Sequence, residues 1–565
     1  MNQQTIYRFS LMSLKNKAVS AYLVAGFALL LMFSSCSQLP DHARYIPKDA
    51  TVVAGINFKS LSKKIAWNAI TGSKLFKEMQ QRLPQKSEND ALSGIEKSGI
   101  DFFNTIYLYT KPDKRLANGN RVCLIVPLSD ATDFENYIKK LAPGINISLK
   151  GDRKESMLYG SMYLGWTKKL LIMTNVIDGG MDQDAAKQAQ GADAENAAEM
   201  DNAFGVTSEN SIISNKPFAK LEKFGHDVSL WVNYDQIFTR YMNESVSEKM
   251  GGMSINNTLW KDAIFTCGFD FKAGKITGDV NYYLSEELKE IGEEFGAKPA
   301  DPDMIERLPK NGLSMLSAWR LSPVALKKTV EKTGMLGLIN LGLGAQGLTL
   351  DNALDAFTGD MALVINNVSL KNVVETDDLM GEPVSHSTQK PEFDATFALE
   401  INKMENFKKI FRVYAAAGDL TQLSANLYTY PVGLKDSIYM LIGDKFVVAS
   451  NKLKNVNGYN NGDFKKVEMP GQMKSGVTGH PYAMFFDIRE MSKKIDAGVV
   501  NTPHDSVVLE ESKKLLSSIL INGGECKDNC MQTHIDINFA NETENSIFSL
   551  MDYGLKISDA DRVVK

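Results

Sequence analysis

The feature that most constrains this chain is that one series of strand, turn and helix signals occurs twice, in the same order. Ile46-Pro47-Lys48-Asp49 followed by the apolar run Thr51 to Ile56 returns as Leu308-Pro309-Lys310-Asn311 followed by Leu313 to Ala318. The same spacing carries Ser60 onto Ser322. Each serine closes a strand-like run and opens a helical one, over 61–70 and 323–330, which is the position of a helix N-cap. Further on, Val122 to Val126 leading to Phe134 and Tyr137 parallels Ala395 to Leu399 leading to Phe407 and Ile410. Tyr163 and Asn175 share their spacing with Tyr439 and Asn451, and Val228 to Asn233 parallels Tyr482 to Asp487. Last comes a hairpin from Phe265 to Tyr282, turning at Lys272 to Lys275, matched by Ile519 to Phe539, which turns between Cys526 and Cys530.

Within the first hairpin Phe265, Cys267, Phe269 and Phe271 alternate with Thr266, Gly268 and Asp270, a period of two that belongs to antiparallel strands with one wet and one covered face. The expected fold is therefore α+β: two tandem, internally duplicated domains, each a mainly antiparallel sheet with helices packed on one face. The repeats are placed at 45–292 and 308–560, with a linker over 293–307 that contains Gly296, Pro299 and Pro302. Each carries a polar insertion, at about 177–210 and 371–392, read as a solvated helix or loop rather than as core.

The N-terminus addresses the chain. Arg8, Lys15 and Lys17 precede an apolar run from Ala18 to Phe33, broken only by Ser20 and Tyr22, the form of a secretory signal over 1–35. The run ends at Phe33-Ser34-Ser35-Cys36, a lipobox-like stop, so Cys36 is expected to become the first mature residue, to carry lipid and to anchor a short tether over 36–44. No second apolar stretch approaches the length of a spanning helix. Removing the signal takes three cations and no acid, so 63 basic against 68 acidic residues becomes 60 against 68, a net charge of −8. An acidic chain argues against nucleic acid as a partner, since phosphate binding needs a basic footprint. Cys123 and Cys267 lie in apolar runs and are read as buried thiols. Cys526 and Cys530 flank a tight turn, where a disulfide, free thiols or a metal site are all open, with the disulfide favoured in an oxidising compartment.

Lipobox, Ile-Pro-Lys-Asp-Ala opening and two-copy layout together resemble the envelope lipoproteins of Bacteroidota grouped as domain of unknown function 4836. The resemblance spans nearly the whole mature chain and lends no catalytic residue. Lipoproteins displayed on the surface of such bacteria often have an acidic run after the lipidated cysteine, and Ser37 to His42 holds one acid, which points to the outer membrane facing the periplasm.

Chemistry-bearing motifs are sparse. Gly342-Leu343-Gly344-Ala345-Gln346-Gly347 fits a dinucleotide fingerprint by letters but follows a helical run rather than a strand. Ser60-Leu61-Ser62-Lys63 matches a Ser-x-x-Lys pattern, yet the second copy has Ala325 in the lysine position. The six histidines stand singly, without metal-ligand spacing, and His534 and Asp536 read as decoration of a strand's polar face. No catalytic residue, cofactor or metal site is expected. The function expected is binding or scaffolding in the envelope, with a protein or a small apolar ligand as partner. The alternatives are a periplasmic carrier and an envelope hydrolase. A cleft between the two copies is the natural place for a ligand.

Overall fold

The computed structural model describes residues 39–65, 77, 94–112, 120–158, 162–177, 193–239, 257–379, 382–418, 420–432, 436–469, 471–493, 495 and 503–563. The signal, the lipobox and Cys36 lie outside the described residues. The first half contributes strands β1 (Val52–Asn57), β2 (Thr105–Pro112), β3 (Asn120–Pro127), β4 (Ser148–Lys150), β5 (Arg153–Leu158), β6 (Met162–Trp166), β7 (Leu170–Ile177), β8 (Val228–Asn233), β9 (Ile264–Lys272) and β10 (Lys275–Tyr283). The second contributes β11 (Leu313–Arg320), β12 (Phe357–Leu379), β13 (Glu382–Ile401), β14 (Thr421–Ser424), β15 (Leu427–Val432), β16 (Asp436–Ile442), β17 (Phe446–Ser450), β18 (Tyr482–Asp487), β19 (Leu516–Lys527) and β20 (Cys530–Phe539).

Hydrogen bonding orders the first set β4-β5-β6-β7-β3-β2-β1-β8-β9-β10. The second set runs β14-β15-β16-β17-β13-β12-β11-β18-β19-β20, the same order strand for strand. All these pairs are antiparallel, and β10 pairs antiparallel with β20, so the strands form one 20-stranded sheet. In that seam Asp279 stands opposite His534. Asp279 is backed by Gly268 and Ser229, and His534 by Asn522 and Ala483, which are corresponding positions in the two halves. A pseudo-two-fold axis therefore passes between Asp279 and His534.

The helices that matter below are α1 (Phe58–Lys64), α2 (Ala131–Leu141), α3 (Asp193–Phe204), α4 (Lys216–Phe224), α5 (Glu286–Gly296), α6 (Pro323–Lys332), α7 (Leu336–Gly344), α8 (Met404–Ala417), α9 (Leu453–Asn461), α10 (Gly471–Val477), α11 (Pro503–Leu515) and α12 (Ser546–Val563). Helix α2 shows how sequence makes an element: Asp130 caps it by accepting from the amides of Thr132 and Asp133 at 2.7 and 3.0 Å. Phe134 and Ile138, one turn apart, then bury against Leu164, Trp166 and Leu171, at about 1.5–3 kcal/mol for each side chain removed from water. On the opposite face of the same strands, α3 and α4 cover Tyr107, Tyr109, Cys123, Ile125 and Trp231. In the second half α9 and α10 cover Leu316, Ala318, Val364 and Val448, while α8 sets Phe407 against Ile401 on the other face.

Helices thus cover both faces of the outer strands, not the one face expected. The reason lies in β3, where Cys123 and Ile125 face one cluster and Leu124 and Val126 the other. A run apolar at every position is a strand buried on both sides.

Other expectations change as well. The stretch 293–307 is no free linker: Ala300, Met304 and Ile305 lie in the second core, and α5 packs across the seam on β19 and α6. Lys332 of α6 meets Glu287 of α5 at 2.8 Å. In return α12 packs against β9. The described part of the first insertion includes α3, whose Met200 and Ala203 are core residues. The second insertion is not a loop but a ribbon, with Ser369 to Leu379 paired to Glu382 to Glu392. Ser322 caps α6 as expected, accepting from the Ala325 amide at 3.4 Å. Ser60 does not cap α1: Asn57 does, accepting from the Ser60 amide at 3.0 Å, so that helix starts earlier.

Candidate functional site

The seam is the floor of a cleft of about 450 Å³, within the roughly 300–1,000 Å³ usual for small-molecule sites. Lys220, Leu221 and Phe224 of α4 line it from the first half, and His480, Asn522 and Glu525 from the second. His226, Thr266, Asn281, Tyr283, Gly523, Gln532, Thr533 and the axial pair Asp279 and His534 complete it.

Two equivalent turns deliver two histidines. Gly225 ends α4 at φ 66° and Gly479 takes φ 87° ahead of β18. Glycine enters this left-handed region without steric cost, which lets the chain turn directly into the strand. His226 and His480 follow. Each donates Nδ1–H to a carboxylate of the neighbouring strand, His226 to Asp270 at 3.0 Å and His480 to Glu525 at 2.6 Å. Burial pushes the Asp270 carboxyl up, but the bond from His226 and the nearby Lys64 charge outweigh it and hold the group below the ordinary carboxylate range. A carboxylate on Nδ1 fixes the ring and leaves Nε2 as the remaining polar edge.

The two histidines sit at different depths. Gly268 lies under the His226 ring, where any Cβ would collide with it, and the His226 side chain is 7% exposed. The corresponding residue under the second copy is Asn522, which donates Nδ2 to the Gly476 carbonyl at 2.9 Å, and the His480 side chain is 27% exposed. Behind His226, the fully buried Asp227 carboxylate accepts from Lys64 Nζ at 2.5 Å, Ser60 Oγ at 2.7 Å and the Phe271 amide at 2.7 Å. Ser60 is therefore a strut between α1 and the sheet, and it is Lys64, not Lys63, that shares its partner.

On the axis, His534 Nδ1 lies 3.0 Å from Asp279 Oδ1 and Nε2 lies 3.2 Å from Asp536 Oδ1. The bond to Asp536, followed by that to Asp279, outweighs burial and raises the imidazole to about 9, so the ring is a cation at neutral pH. His534 thus bridges the two halves rather than decorating one strand. Lys220 Nζ rests 5.9 Å from the centroid of the Tyr283 ring and has no ion-pair partner among the described residues.

Sequence reasoning treated the histidines as isolated and missed the correspondence of His226 with His480. The signal was present as a Gly-His step at the same place before Val228-Ser229-Leu230 and Tyr482-Ala483-Met484. The Cys526–Cys530 bridge is not formed, and both are free thiols. The turn uses two residues, Asp528 and Asn529 at φ 53° and 59°, which sets Cys530 opposite Lys527 and Cys526 opposite Met531. Strand alternation then sends the two side chains to opposite faces. Burial pushes the Cys530 thiol up to about 11. The glycine-rich run belongs to α7 and the turn after it, with no strand before it. Among the described residues no three His, Cys, Asp or Glu side chains are placed to share a metal ion, and no helix is long and apolar enough to cross a membrane.

A second surface stands apart from the cleft. Helix α7 buries none of its residues, Leu338 and Leu341 are 53% and 75% exposed, and no ionisable side chain occurs from Thr333 to Leu350.

Comparison with known proteins gives one family and no activity. Residues 43–457 match the family described as Domain of unknown function (DUF4836). No curated protein matches the chain. Two solved structures, titled crystal form IV and crystal form III of TP0453, each cover 44% of this chain and 81% of their own, at 9% and 10% identity and TM-scores of 0.25 and 0.24. Likeness at that level carries no conclusion about fold or function.

Proposed function

Because this chain belongs to the DUF4836 family, whose description names no activity, we propose its function from the cleft: an exported envelope lipoprotein that binds a small molecule across the seam of its two halves. The observation that carries this reading is that both halves contribute equivalent histidines to one cavity on the pseudo-two-fold axis, His226 held from behind by Asp270 and His480 held by Glu525. Pockets favour such junctions, and both histidines there are held by fixed carboxylate partners, as a binding surface requires. The matching strand orders support descent of the halves from one duplicated unit. The lipobox supports export and acylation at Cys36, with the body held to the outer membrane on the periplasmic side.

Small molecules extracted from the full-length lipoprotein, purified from its native envelope and analysed by mass spectrometry, test the reading. A compound present in wild type and absent from a Gln532→Trp variant, which fills the cleft, is the expected result. Identical extracts would overturn it. Changing Cys36 to Ser should move the protein from the membrane fraction to the soluble periplasm, and retention in the membrane would remove the anchor.

The uncovered apolar surface of α7 favours a second reading, in which the chain scaffolds an envelope protein through that helix. A stoichiometric protein partner retained by Gln532→Trp but lost on Leu341→Asp would select it.

A further inference from the structure

We propose that the ligand of the seam cleft is a neutral, polyhydroxylated molecule of saccharide type, bound by hydroxyl contacts to His226 and His480 with a carbon face against Phe224. This rests on the cleft being a binding site and adds the chemistry it recognises.

The argument is one of matching. With Nδ1 committed to Asp270 or Glu525, each histidine presents Nε2, which accepts when the ring is neutral and donates when it is protonated. A hydroxyl both donates and accepts, so it satisfies that edge in either state, whereas a carboxylate satisfies only the protonated one. Asn281 and Gln532, opposite each other on the floor, offer amides with the same double character. The lining carboxylates Asp279 and Glu525 outnumber the axial cation His534 by one, and the Lys220 ammonium offsets that difference. Asp279 is paired with His534 and Glu525 with His480, leaving Lys220 as the one cation in the cleft with no ion-pair partner among the described residues. An anionic ligand would gain Lys220 but meet the Asp279 and Glu525 carboxylates at close range, and a purely apolar ligand would desolvate these polar groups without replacing their hydrogen bonds.

Phe224 supplies the remaining contact. It lies at the end of α4, 67% exposed, with its ring 5.8 Å from that of His226 and inclined by 39°. Its negatively polarised face is open to the C–H groups that line one side of a pyranose ring.

Saturation-transfer NMR on the full-length lipoprotein in nanodiscs tests this with three probes offered together: cellobiose, succinate and decanoate. Saturation of the cellobiose ring protons, with affinity reduced at least tenfold in Phe224→Ala and in His480→Ala, is the expected result. Both residues are partly exposed, and an unchanged Tm checks that the variants remain folded. Saturation of succinate or decanoate alone, abolished by Gln532→Trp, would overturn the saccharide class and leave the binding cleft standing. Cellobiose binding unaltered in both variants would overturn the contacts proposed. No saturation of any probe would overturn this ligand class together with the binding reading.

Discussion

In the first half, the helix after the opening strand is tied to the sheet by Asp227, a carboxylate without solvent contact that gathers Lys64, Ser60 and the Phe271 amide. In the second half the corresponding residue is Pro481, and the polar lock has moved to the other side of the opening strand. There Asp360 pairs with Arg320 and accepts from the Asp301 amide at 3.1 Å, while Lys445 spans Asp301 and Glu400 at 2.6 and 3.2 Å. Two sets of ten strands thus share an order although these two polar locks occupy different positions. Topology here follows from apolar alternation and turn placement, and the polar clusters fasten local elements onto a sheet whose order they do not decide.

Removing each lock separately tests that division. Asp227→Ala leaves Lys64 only its longer contact to Asp270 at 3.8 Å and the Ser60 hydroxyl and Phe271 amide without their acceptor, and should cost about 3 kcal/mol in urea unfolding. Asp360→Asn should cost less, about 1–2 kcal/mol, because an amide keeps part of the hydrogen bonding and burial already pushes the Asp360 carboxyl up toward its neutral form. Equal losses, or a larger one at Asp360, would break the contrast. At the cleft, Gly268→Ala drives a Cβ into the His226 ring and should cost about 1–3 kcal/mol. Its counterpart Asn522→Ala gives up one hydrogen bond, about 1 kcal/mol. If both changes were neutral, the deep seating of His226 would not depend on that glycine.

The smallest effect belongs to the axis. His534 is raised in the fold to about 9 from 6.5, so its contribution is fully present below pH 6.5 and is lost as pH rises through 9. With the ring 42% exposed, solvent screening limits this to about 1 kcal/mol. Wild type should therefore lose about that much more stability than His534→Gln between pH 6 and pH 10. Parallel pH profiles would remove His534 as a clamp on the seam.

The sequence was most legible where period and turn chemistry agree. The alternation from Phe265 to Phe271, the cap at Ser322 and the matched hairpins all read directly into strands and helix starts. It was least legible where the answer depends on contacts distant along the chain. Nothing local distinguishes Asn57 from Ser60 as the cap of α1 until Asp227 claims the serine hydroxyl from 167 residues away. The apolar run Val122 to Val126 announced burial but not that its second cover would be α2. The cleft was foreseen as a place between copies, without residues. Its histidines become a pair only once β10 and β20 are laid side by side, because that pairing creates the axis relating them.

That pairing also orders the birth of the molecule. β10 is complete at Tyr283, yet its partner begins at Cys530, so an N-terminus-first chain exposes the open rim of β10 while the whole second half is still to come. Closing so long a loop is slow, and an unpaired strand edge is a template for pairing with the wrong chain. The interval between the arrival of β10 and that of β20 is when the chain is most open to such mispairing, and the arrival of β20 decides when that exposure ends.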